Sequence, residues 1–165
     1  LIIINQERAH QRILYEKFLK SVTLSKINSQ KLLHPLEIDF SKPDIQILNS
    51  RKDILNQFGL DFDLGYDKII INAIPSFIDS ANLSQSFNEL IYNIKNEVPD
   101  ESFSESDFIS KIISKSLSIK NGKSLKVKEQ QYIINSLFAC KETLICPFNN
   151  RTFVKIDFSE IENMF

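Results

Sequence analysis

Beside its 21 carboxylates, the chain has few residues able to do metal or acid–base chemistry: two histidines, His10 and His34, and two cysteines, Cys140 and Cys146. Together they cannot complete a closed four-ligand zinc site unless carboxylates or a second chain contribute. Arg8, Arg12 and Arg151 could meet phosphate, but scattered arginines of this kind usually belong to a solvated face. No phosphate-cradling G-x-x-x-x-G-K-[ST] loop occurs. The bland reading of the same residues is structural. Cys146 is then a small buried thiol, Cys140 packs on the apolar side of a helix ending at Ala139, and His10 is a solvated or capping helix residue.

The framework that must carry these side chains is of ordinary globular composition. The chain has 165 residues, 42% hydrophobic and 25% charged, which suits one domain or two small lobes. Twenty basic residues against 21 acidic ones leave a formal charge of −1, so there is no overall basic footprint for non-specific DNA binding. No apolar run approaches the roughly 18 to 20 residues needed to cross a bilayer, and no membrane partner is expected. Few thiols and no signal peptide point to a reduced, cytoplasmic setting. The opening Leu1-Ile2-Ile3-Ile4 reads as a buried strand cut in its middle, so the chain is expected to be a C-terminal piece of something larger.

Ala9, Ile13, Leu14 and Phe18 then recur at helical spacing. Ser29 to Phe40, with Pro35 inside, suits a loop leading into a short edge strand. A helix is expected from Pro43 to Phe58, stopped by Gly59, and a hairpin from Phe62 to Pro75. Helices follow from Leu83 to Ile94, from Phe108 to Ile119 and from Val127 to Phe138. A lobe boundary is expected in the polar stretch Asn96 to Glu105. Phe153 to Ile156 reads as a strand, and Ser159 as the cap of a last helix through Phe165. The order implies an α/β (α+β) chain of two lobes, the middle one inserted into the flanks.

The segment Asn5-Gln6-Glu7-Arg8-Ala9-His10-Gln11-Arg12-Ile13-Leu14-Tyr15-Glu16 resembles the DQHAxxExxxxE segment of the MutL family of DNA mismatch repair proteins. The resemblance continues through Gln30 to Pro35, Gly59 to Pro75, Ile119 to Gly122 and Leu137 to Cys140. It ends on Cys146-Pro147-Phe148-Asn149-Asn150-Arg151-Thr152 at the place of the family's CPHGRPT. It implies a C-terminal domain with a dimerisation lobe, residues 1–28 plus 105–165, and a smaller inserted regulatory lobe, residues 29–104. It also implies a homodimer in mismatch repair, with ATP binding and most DNA contact in the rest of the full-length protein.

In nuclease-competent relatives the first and last segments converge on divalent metal. Here the family's aspartate is Asn5, its histidine is Glu7, its first glutamate is Gln11, and the histidine after Cys-Pro is Phe148. Amides coordinate zinc or manganese weakly and phenylalanine not at all, so only Glu7, Glu16 and Cys146 remain usable. The expectation is a non-catalytic module without zinc or manganese, the alternative a metal-dependent nicking endonuclease with an altered ligand set. Gln30-Lys31-Leu32-Leu33-His34-Pro35 resembles the QxxLxP peptide by which MutL proteins engage the replication sliding clamp. In that role Leu32 and Leu33 would fill an apolar pocket, Gln30 would orient the peptide by hydrogen bonds, and Pro35 would hold it extended. Otherwise the leucines simply pack inside their own lobe.

Overall fold

The structure is a computed structural model that describes residues 1–23, 27–97 and 104–163. Among them the element order is β1 (Ile2–Ile4), α1 (Gln6–Thr23), β2 (Ser29–Asp39), α2 (Lys42–Ser50), α3 (Lys52–Gln57), β3 (Asp61–Leu64), β4 (Lys68–Pro75), α4 (Leu83–Asn96), α5 (Glu105–Ser116), α6 (Val127–Phe138), β5 (Phe153–Lys155) and α7 (Phe158–Glu162). This is a mixed α/β chain with two small antiparallel sheets. None of the described helices is long and apolar enough to cross a membrane.

The chain divides into two units, residues 1–17 with 118–165 and residues 18–117. Both limits differ from the expected division at 28/29 and 104/105. The inserted unit is the larger of the two, because it takes the last six residues of α1 and the whole of α5. Phe18 supplies the first reason: its ring centroid lies 5.1 Å from Phe58 and 5.9 Å from Phe77. The second is polar. Asn93 donates to the Ser116 hydroxyl at 3.2 Å and Lys115 pairs with Glu97 at 2.6 Å, which tie α5 to α4.

In the inserted unit the sheet order is β2-β4-β3, all antiparallel, which leaves β2 at an edge. The hairpin expected from Phe62 to Pro75 is present as β3 and β4. Apolar residues at 83, 87, 90, 91 and 94 form one helical stripe, and all five side chains are buried. Phe62 meets Phe87 edge-on at 6.4 Å beneath the sheet. The helix expected from 43 to 58 is two helices that meet at Arg51, whose φ of −119° leaves the helical range. Gly59 does stop α3, at φ +86°, and a Cβ there would come within 3.1 Å of Ile27 and Ser29 side-chain atoms.

Residues 29 to 39 form one strand rather than a loop and a short strand. Its pairing with β4 runs to Lys31↔Ala73 and resumes at Leu36↔Ile71. Four residues, Leu32 to Pro35, therefore bulge out opposite the single residue Asn72.

In the other unit β1 pairs with β5, Ile2↔Lys155 to Ile4↔Phe153. The core beneath this ribbon is Ala9, Ile13, Ile133, Leu137 and Phe153, with Ile4, Ile119, Leu125 and Cys140 packed against it. The opening strand is not buried as expected: Leu1, Ile2 and Ile3 are about half exposed. A two-stranded ribbon covers only one of its faces. The helix expected to reach Ile119 ends at Ser116, and the last helix begins after Asp157, which leaves Ser159 inside its first turn rather than at its cap. Phe165 and most of the polar stretch around Pro99 lie outside the described residues.

Phe58 is fully buried, so Phe58→Ala should destabilise the chain by about 3 to 5 kcal/mol in urea unfolding. Tyr66, 74% exposed with the Lys42 ammonium 4.1 Å from its ring centroid, should cost no more than about 1 kcal/mol as Tyr66→Ala.

Candidate functional site

The N-terminus of α1 and the loop after α6 meet, so the structure brings together the two segments singled out in the sequence. Asn5 is the N-cap of α1: its side-chain oxygen accepts from the Arg8 N–H at 3.0 Å and its own N–H donates to the Thr152 carbonyl at 2.8 Å. Arg8 donates to the Arg151 carbonyl at 3.3 Å. Cys146 to Arg151 form a tight reversal in which the Cys146 N–H donates to Asn150 at 2.8 Å and Asn149 takes a φ of 58°. An asparagine tolerates that left-handed conformation better than most residues. The Thr152 hydroxyl, fully buried, donates to the Thr143 carbonyl and closes the loop.

Two of the candidate ligands, Glu7 and Glu16, serve backbone groups. Glu7 accepts from the Asn121 N–H at 3.3 Å. Glu16 accepts from the Lys141 and Glu142 N–H groups at 2.9 and 3.1 Å. Gln11 and Cys146 are buried, and Phe148 is half-buried. Among the described residues no group of three or more His, Cys, Asp and Glu side chains is placed to hold a metal ion.

Two residues stand where sequence reasoning did not put them. Arg12 is buried rather than solvated, donating through Nε to the Ile145 carbonyl at 2.7 Å with Glu16 3.9 Å away. Their i, i+4 spacing on an otherwise apolar face was the available signal. His10 is likewise buried, its Nδ1 accepting from the Ile119 N–H at 2.9 Å, so the neutral ring carries its proton on Nε2. Burial first, then the Lys17 and Lys123 charges, push its pKa down to about 4.

The peptide Gln30 to Pro35 lies in the other unit. Leu33 is 90% exposed, Leu32 is half-buried, and Pro35 is exposed. Gln30 Nε2 reaches the Ile78 carbonyl only at a long 3.4 Å.

A family described as the MutL C terminal dimerisation domain matches residues 1–125. The DNA mismatch repair protein MutL of Flavobacterium psychrophilum is 38% identical over all of this chain and 27% of the relative, and that of Christiangramia forsetii 36% over the same shares. That of Clostridium botulinum, strain Kyoto, is 28% identical over all of this chain and 25% of its own length. The chain thus spans about a quarter of the length of the curated relatives it matches.

The lowered pKa of His10 makes a signed prediction. The unfolded chain binds its proton near pH 6.5 and the folded chain only near 4, so the stabilisation is present above 6.5 and drains away as pH falls toward 4. The stability difference between parent and His10→Gln should shrink by about 2 kcal/mol between pH 7.5 and pH 5, read from urea midpoints. An unchanged difference would mean that His10 is not held neutral.

Proposed function

Since this chain belongs to the family of MutL C-terminal dimerisation domains, we propose that it serves DNA mismatch repair as a non-catalytic module. It pairs two protomers through the unit made of both chain ends and docks the sliding clamp through Gln30, Leu32, Leu33 and Pro35.

The docking part rests on one observation, the exposure of Leu33 at 90% in a four-residue bulge on an edge strand. A leucine held in water on an ordered strand gives nothing to its own core, whereas it offers a partner pocket a preformed anchor beside a proline that limits the entropy lost on binding. The pairing part is supported by where apolar surface remains. Among the described residues 13 large hydrophobic ones are left exposed, and ten of these lie in the unit of residues 1–17 and 118–165, among them Ile3, Phe138, Val154 and Phe158. Crowding of this kind marks an interface rather than random surface.

The non-catalytic part is supported by the donor set. Metal-activated hydrolysis needs several anionic or imidazole ligands around one ion. Asn5, Gln11 and Phe148 offer none, and the Glu7 and Glu16 carboxylates already accept backbone N–H groups.

Leu32→Ala with Leu33→Ala should weaken clamp binding on the order of a hundredfold or more in a titration while shifting the urea midpoint little. Unfolding of the double variant, with no clamp binding by the parent, would instead make the segment core. Supercoiled DNA incubated with the chain and manganese should stay unnicked. Nicking that Cys146→Ala abolishes would overturn the non-catalytic reading.

A further inference from the structure

An open groove of about 470 Å³ runs along the unit that holds both chain ends, lined by Ile2 and Ile4 of β1, Leu125, and Ile133 and Ile134 of α6, together with Lys123. The stretch leading into α6 carries Lys120, Lys123, Lys126 and Lys128 with no acidic residue among them, and Lys126 and Lys128 are exposed. Gln6, Ser124 and Gln130 complete the lining, so the groove mixes apolar and polar side chains, and Lys123 brings the lysine-rich stretch to its edge. An occupant should be acidic with an apolar anchor.

The same unit carries a segment of that chemistry. From Asp157 to Glu162 the chain reads Asp-Phe-Ser-Glu-Ile-Glu, with three carboxylates and no base, and Phe158 is 75% exposed. Without those three carboxylates the rest of the unit holds ten basic residues against four acidic ones. The inserted unit holds ten against fourteen and would repel an acidic helix. Reciprocal bonds between Leu1 and Ile156, at 2.9 and 3.0 Å, fix the point from which α7 departs, and Phe158 points to solvent from there.

We propose that α7 of a second copy of this chain seats Phe158 in this groove, with Asp157, Glu160 and Glu162 set against Lys126 and Lys128. Exchanged between two copies, the contact is isologous and closes on itself, so it gives a dimer rather than a filament. The inference rests on the homodimer reading above and specifies what each protomer supplies.

Sedimentation equilibrium of the 165-residue chain tests both levels. The parent should be a dimer, Phe158→Ser should raise its dissociation constant at least tenfold, and Glu160→Lys with Glu162→Lys should do the same. Adding Lys126→Glu and Lys128→Glu to the latter pair should restore dimerisation. Ile134→Cys with Phe158→Cys should give a disulfide between protomers on mild oxidation, beyond the background of either single variant. A monomeric parent would defeat the homodimer reading and this inference with it. A dimeric parent whose Phe158→Ser variant associates as tightly, or an Ile134–Phe158 disulfide formed within one chain, would overturn the groove assignment alone.

Discussion

The antiparallel pairing of Ile2–Ile4 with Phe153–Lys155 is the constraint on which the rest of this chain depends. It closes a loop of about 150 residues, and closure on that scale costs about 4 kcal/mol or more in chain entropy. Three residue pairs are a thin return for such a loop. The ribbon is therefore continued by further long-range bonds: Asn5 to Thr152, Arg8 to Arg151 and Arg12 to Ile145. Each reaches from the first turns of α1 to the loop before β5, so the helix start and the chain's far end are fastened as one structure.

That fastening changes what the polar residues near it do. Here Glu16 receives two backbone N–H groups, Glu7 one, and His10 another. Burial of the Arg12 and Glu16 charges is tolerable because each also has a backbone partner, which offsets the desolvation that a bare buried pair would suffer. The cost shows instead at His10, whose ring must stay neutral to keep its bond to Ile119.

The inserted unit has the opposite emphasis. Its aromatic core of Phe18, Phe58, Phe62 and Phe87 is fully buried and paired ring on ring. The sheet above it can therefore carry a bulge at an edge, where a looped-out Leu33 disturbs no ladder on its outer side. Acidic residues outnumber basic ones in this unit and basic residues prevail in the other. A chain of net charge near zero is thus two bodies of opposite sign.

Local pattern alone determined the elements whose face repeats within a few residues: α1, α4 and α6, the β3–β4 hairpin, and the stop at Gly59. Residue identity alone also sets the donor strength at Asn5, Gln11 and Phe148, because an amide oxygen is a weak ligand for zinc or manganese and a phenyl ring is none. Tertiary structure decided the rest. The helix from 105 to 116 reads the same whichever unit it joins, and its partners, Arg51, Asn93 and Glu97 among them, settle that. His10 and Arg12 look solvated by type, and become buried because Ile119 and Ile145, more than a hundred residues away, bring carbonyl and N–H groups to them. Leu32 and Leu33 are indistinguishable in sequence. A register break against β4 turns one half inward and leaves the other in water, since side-chain direction in a strand is set by its partner's hydrogen bonds and not by the residue itself.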